Sequence, residues 1–154
     1  MSSRENFNEA ISGFITENKI ASISCIDNSN KPWCFHCFYV FDINNQLLFF
    51  KSSKQTRHAT LLSKNFAVAG SILPQKLEFL ALKGIQFTGT VLYSAIPDQI
   101  DAESYYHRRL PLGLTKPGDV YCIQLETIKM TDNSRIFGKK LEWNRHAVLD
   151  ERVK

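Results

Sequence analysis

Apolar residues recur at helical spacing at the start of the chain, where Phe7, Ile11, Phe14 and Ile15 lay one stripe along the first segment. Ser2 with Glu5 fits a capping box ahead of it, and the helix is expected to end near Asn18. From Ile20 the period changes to two. The segment IASISCI, the turn-forming DNSNKP and the long PWCFHCFYVFD read as a hairpin; Asn44 and Asn45 mark the next turn, and QLLFFK follows as a third strand. Alternation along the long strand sorts Trp33, Phe35, Cys37, Tyr39 and Phe41 onto one face and Cys34, His36, Phe38 and Val40 onto the other. Both faces are largely apolar, so the outer one is expected to lie under a helix, a second subunit or a flat ligand.

Ser52 with Gln55 forms a second possible capping box, and Ala59, Leu62 and Phe66 give a short helix one apolar side, with QTRHA as its first turn. FAVAGSI reads as a buried strand. LKGIQFTGTVLYS reads as a long, bent one relaxed by Gly84 and Gly89. Pro97 and Asp98 open a third helix, with acids (Asp98, Asp101, Glu103) first and bases (His107, Arg108, Arg109) last, as the helix dipole favours, and Pro111 stops it. A final long strand, GDVYCIQLETIKMTD, leads through the turn NSRIFG to KKLEWNRHAV. The prediction is a mainly β fold, one domain spanning residues 1–154: a six- or seven-strand antiparallel barrel with three helices.

Composition strengthens that reading. Eleven Phe, five Tyr and two Trp in 154 residues favour pleated, half-buried surfaces. The net charge of +4 is spread among fifteen acids with no basic run, which is too diffuse for a nucleic-acid footprint but suits a small anionic ligand. The opening MSSRENFNEA has no apolar export region, so Cys25, Cys34, Cys37 and Cys122 are expected as reduced thiols in a cytoplasm. The longest apolar run, Phe66 to Leu73, falls far short of the roughly 20 residues of a membrane span.

Candidate chemistry concentrates between Phe49 and His58. Lys51, Ser52, Ser53, Lys54, Thr56, Arg57 and His58 stand where a strand ends and a helix begins. Hydroxyls, free backbone N–H groups and cations together favour a desolvated phosphate; a capped, solvated helix start would have the same composition. Cys34-Phe-His-Cys37 has the spacing of a redox or zinc motif, yet on a strand its two thiols point opposite ways, and no second pair of ligands completes a metal site. Gln86 shares a face with Gly84 and Thr88, either as an amide for a heterocycle edge or as a solvent-facing glutamine. Trp143 and Arg145 would share a side of an extended segment as stacking plane and cation, or belong to a loop with a packed Trp. No Ser/His/Asp order, carboxylate pair or HExxH stands out.

The segment LLFFKSSKQTRHATLLSKNFAVAGSI resembles the phosphate-binding strand–helix–strand of the pyridoxamine-phosphate-oxidase-like FMN-binding split barrels. Matched position by position, the resemblance places Phe50 and Lys51 where the strand end meets FMN, Thr56 and Arg57 at the phosphate-binding pair, and Trp143 at the C-terminal flavin-site tryptophan. TRHA, KGIQFTGTV, YYHRRLP and IKMTDNSRIFGKKLEW extend the likeness over nearly the whole chain to the small bacterial YhbP-like proteins. The resemblance implies a homodimer holding FMN between subunits. The phosphate would be held by Lys51, Ser52, Ser53, Thr56, Arg57 and His58, and Gln86 would lie near the ring. It also implies either a flavin-dependent oxidoreductase on a small molecule or a non-enzymatic carrier or sensor of flavin, haem or another anion. Two departures stand out. Arg145 and His146 are adjacent where the oxidases carry Arg-x-His, which argues against vitamin oxidation, and Thr56 stands where a second cation is common.

Overall fold

The computed structural model describes residues 7–133 and 139–147. Its first helix, α1 (Glu9–Glu17), is capped by Asn8, whose side chain accepts from the Ala10 N–H at 2.7 Å; the expected capping box of Ser2 and Glu5 lies outside the described residues. Ile11, Phe14 and Ile15 are buried as the periodicity predicts, and the Tyr39 hydroxyl donates to the Ile15 carbonyl at 2.6 Å, tying the helix to the sheet.

Among the described residues seven strands follow: β1 (Ile20–Ile26), β2 (Pro32–Asp42), β3 (Leu47–Ser52), β4 (Ala67–Ile72), β5 (Lys83–Leu92), β6 (Asp119–Asp132) and β7 (Lys139–Asn144). All pairings are antiparallel, in the order β3-β2-β1-β4-β5-β6-β7, and β3 also pairs with β6. Six strands therefore close into a barrel, and β7 extends the far half of β6. Closure removes the open edges that would otherwise expose unpaired N–H and C=O groups.

The 14-residue β6 serves two partners in succession: its first half pairs with β3, and Thr127–Asp132 pairs with β7. A register shift at Thr88/Gly89 bends β5 alongside it. Gly89 is required there, because a Cβ would lie 2.7 Å from both the Gln124 carbonyl oxygen and Ile123 Cγ2. Inside the barrel Ile23, Phe35, Phe50, Val68, Ile85, Phe87, Ile123 and Leu125 form one core. The strand FAVAGSI is buried on one face only: Val68 and Ile72 face inward, while Ala67 and Ala69 are exposed.

Two helices differ from expectation. The cap of α2 (Arg57–Leu62) is Thr56, whose Oγ1 accepts from the Ala59 N–H at 3.2 Å; Ser52 ends β3 instead, and Phe66 lies beyond the helix, half exposed. Pro97–Gln99 forms only a 3₁₀ turn, because Asp98 and Gln99 have positive φ, and α3 (Ala102–Arg109) starts after Asp101, which caps it. A further 3₁₀ turn, Pro111–Thr115, follows. This α3 strap covers the outer face of β2, β3 and β6, burying Val40, Leu47, Phe49 and Cys122 against Tyr106. Elsewhere the outer face of β2 is open, with Cys34, His36 and Phe38 exposed, so one chain alone does not cover both faces of that strand.

Gly89→Ala is expected to lower stability by about 1–3 kcal/mol through overpacking against a strand backbone. Gly13→Ala, with nothing within 4 Å of the added Cβ in α1, is expected to raise it by about 0.4–1 kcal/mol. Urea unfolding of the two variants reads both signs, and equal shifts would contradict the bulge geometry.

Candidate functional site

Strand parity governs what happens at the end of β3. Leu47 and Phe49 point outward under α3, Leu48 and Phe50 point inward, and the next two residues continue the alternation as the first polar positions. Lys51 follows the outward row to the strap, where its Nζ donates to the Gly113 carbonyl at 2.9 Å and lies 2.9 Å from His107 Nε2. An ammonium has three donors, so one is left for a ligand. Ser52 follows the inward row, its Oγ 2.6 Å from His58 Nε2 and 3.3 Å from Thr56 Oγ1.

Lys51, Ser52, His58 and Gly113 line the polar end of a cleft of about 700 Å³, with Ser53 and Lys116 beside them. Ile20, Phe38, Leu110 and Leu112 form its apolar lip. His58 is fixed by stacking flat on Phe35, ring centroids 3.8 Å apart. Burial pushes its pKa below the usual histidine value, so near neutral pH the ring is uncharged. Cys37 also lines the cleft, but burial pushes its thiol up to about 12, which removes it as a nucleophile near neutral pH. Cys34 lies exposed on the opposite face of β2, as alternation requires.

A second hollow, a shallow floor of about 830 Å³, lies on the outer face beyond β1 and includes Ser22, Ser24, Ala69, Ser71, Gln86 and Thr88. Small side chains make it flat. The register lines up one polar row across it, Glu142–Lys129–Gln86–Ser71–Ser22–His36, and His36 belongs to the cleft. Cleft and floor are therefore neighbours on one surface.

The expected site residues are divided between these places. Lys51, Ser52, Ser53 and His58 meet in the cleft, and Thr56 supports them by bonding Ser52 and accepting from Ala59 N–H. Phe50 is in the barrel core against Tyr121 and Phe35, and its backbone lies in the ladders to β2 and β6, so it anchors the strand end and does not face the cleft. Arg57 turns away from Lys51 to lie 4.4 Å over the Trp33 ring and 3.9 Å from Asp27. Gln86 is on the floor. Trp143 is no open stacking plane: it is buried edge-on to Phe7, centroids 5.1 Å apart. Arg145 is no free cation, because it donates to the carbonyls of Leu125, Asn45 and Gln46 at 2.7–3.1 Å. A helix of six residues also supplies little dipole, so attraction for an anion rests on the side chains. No local pattern singles out Gly113 or Lys116, and the helix dipole accounts for His107 as a helix-end base. The word YYHRRLP marked the segment, but only the fold brings it to β3.

Several solved structures share its barrel. They include a haem-binding protein from Mycobacterium smegmatis, with a TM-score of 0.71 at 10% identity over 87% of this chain and 56% of that one, so this chain spans little more than half its length. They also include a pyridoxamine 5′-phosphate oxidase-related, FMN-binding protein from Nostoc punctiforme, with a TM-score of 0.64 at 9% identity over 93% and 94% of the two chains. The fold is thus the split barrel that these structures share. No protein-family profile matches the chain. A UPF0306 protein from Yersinia pseudotuberculosis is 36% identical over 135 residues, 88% of this chain and 91% of the relative, and the chain belongs to the UPF0306 family. No helix among the described residues is long and apolar enough to cross a membrane.

Because the folded state binds a proton at His58 less readily than the unfolded chain does, His58 contributes stability that is full above its ordinary value of 6.5 and is lost as pH falls below it. His58→Gln is therefore expected to flatten the decline of the urea midpoint between about pH 7 and pH 5. An unchanged slope would assign that titration to another group.

Proposed function

We propose that this UPF0306 protein is a cytoplasmic homodimer that binds FMN, its phosphate in the cleft of one subunit and its ring against the floor of the other. The observation that carries this reading is the convergence of Lys51, Ser52, Ser53 and His58 at one end of a cleft with an apolar lip. A phosphate dianion needs a cation and several hydroxyl donors where water is excluded, and the donor set fits that need. Lys51 has an uncommitted N–H, Ser52 can turn its hydroxyl from His58 to an anion, and His58 gains a proton more readily beside one. Gln86, with an amide donor and acceptor on a flat floor, suits a heterocycle edge that carries both. Of the residues implied by resemblance, Thr56 acts by holding Ser52, Phe50 by anchoring the strand end from which Lys51 and Ser52 project, and Trp143 by supporting the floor from beneath.

Bound flavin would supply the electron transfer, and the protein's share would be binding, orientation and exclusion of water. On this reading the protein is a flavin-dependent oxidoreductase acting on a small molecule. A carrier on the same fold would bind FMN without oxidising NAD(P)H. Haem is a second reading, favoured by His36, an exposed imidazole at the junction of cleft and floor. The spectrum of the purified protein separates flavin bands from a Soret band.

FMN at about one hundred times its Kd is expected to raise Tm by roughly 5–10 °C, and riboflavin by much less. Equal shifts from the two would remove the phosphate from the reading. Lys51→Ala is expected to weaken FMN binding at least tenfold, measured by fluorescence titration, as loss of a charged hydrogen bond of about 1.5–3 kcal/mol requires. Arg57→Ala, engaged with Trp33 and Asp27, should change it less; the reverse order would move the phosphate toward Arg57.

A further inference from the structure

The connection between β4 and β5, residues 73–82, is the most apolar exposed feature among the described residues. Phe79 is 99% exposed and Leu80 88%, with Leu73, Leu77 and Leu82 also exposed around them. The patch does not stop at the loop. One step on from the Ala21–Ile72 pair, Leu73 falls opposite Ile20, and Ile20 pairs with Phe38, all three on the outer face and all exposed. An apolar stripe thus runs Leu73–Ile20–Phe38 from the loop to the lip of the cleft, where Phe38 and Ile20 are joined by Leu112. The polar row containing Gln86 and His36 runs beside it.

We propose that the β4–β5 loop is an arm that docks on a second copy of this chain, seating Phe79 and Leu80 on the partner's Ile20, Phe38 and Leu112 and so roofing the partner's cleft. Three arguments select a second copy. First, the side chains of the loop and stripe together expose roughly 800 Å², about what one partner gives to a standard stable interface and more than soluble monomers usually leave open. Second, the stripe has its arm at one end and its lip at the other. A two-fold axis lying in the interface and crossing the stripe near Ile20 exchanges the two ends, placing each arm on the other's lip. Third, the arm carries one base and one acid, Lys76 and Glu78, so it lacks the cationic surplus that draws a loop to an anionic membrane.

The inference deepens the homodimer reading above, since the partner then contributes to the site, but its test needs no flavin. Sedimentation of the full chain should give a dimer for the native protein and a monomer for Phe79→Asp/Leu80→Asp at the same concentration, with unchanged far-UV circular dichroism, because both side chains are exposed. Mixing Phe79→Cys with Leu112→Cys, both in a Cys34→Ser background, should give a disulfide between unlike chains on oxidation. A native monomer, including one that co-sediments with phosphatidylglycerol vesicles, would overturn the proposal. So would a dimer that survives the double substitution, or cross-linking of Phe79→Cys only to itself. If the native protein binds FMN, the double variant should bind it at least tenfold more weakly. If it binds none, the flavin reading fails while the sedimentation and cross-linking results still decide the arm.

Discussion

The pairing of β3 with β6 is the constraint on which the rest of this molecule depends. Without it the sheet would have two long open edges, and the six residues Leu47–Ser52 would leave half their backbone groups unpaired. Closure satisfies them, but it also places β3 between a filled barrel interior and the α3 strap. Both faces of β3 must then be apolar, and Leu47, Leu48, Phe49 and Phe50 are all buried. The first positions free to be polar are Lys51 and Ser52. The polar end of the cleft is thus located by the point at which a doubly buried strand emerges.

The same closure explains how one short stretch supplies groups to two structures. Because successive side chains on a strand point to opposite sides, Lys51 meets His107 and Gly113 of the strap while Ser52 meets His58 over Phe35. The cleft lies where those two sides meet. His58 is held by an aromatic face and one hydroxyl and is kept neutral by burial, which leaves it able to respond to an anion. Arg145 shows the contrary case of a charge retained for architecture, since its guanidinium gathers carbonyls from β6 and the β2–β3 turn.

The outer surface follows a different logic. Where α3 covers it, the barrel carries Val40 and Phe49; beyond the strap it carries polar residues in one row and exposed Ile20, Phe38 and Leu73 in the next. A flat polar floor beside an apolar stripe is not what a solvated monomer needs. It is the composition of a surface that meets something, and the arm of residues 73–82 lies at its end.

Much of this was legible in the residues alone. Period-two alternation located the strands, the helical stripe Ile11–Phe14–Ile15 located α1, and the mid-strand Gly89 marked the bend in β5, because these are local consequences of side-chain direction and volume. The polar cluster Lys51–His58 was also visible. Its division was not: Phe50 was lost to the core and Arg57 to Trp33 and Asp27, while Gln86 was displaced to the floor and Trp143 to the underside of the sheet. The helix predicted from Pro97 failed because Asp98 and Gln99 adopt positive φ, which breaks the helical path before Asp101. His107 and Gly113 lie 56 and 62 residues from Lys51, and no local pattern can state that they touch it. The sequence by itself determined which residues alternate, which are apolar and where polarity resumes; barrel closure decided which polar groups converge, because convergence depends on contacts between distant strands.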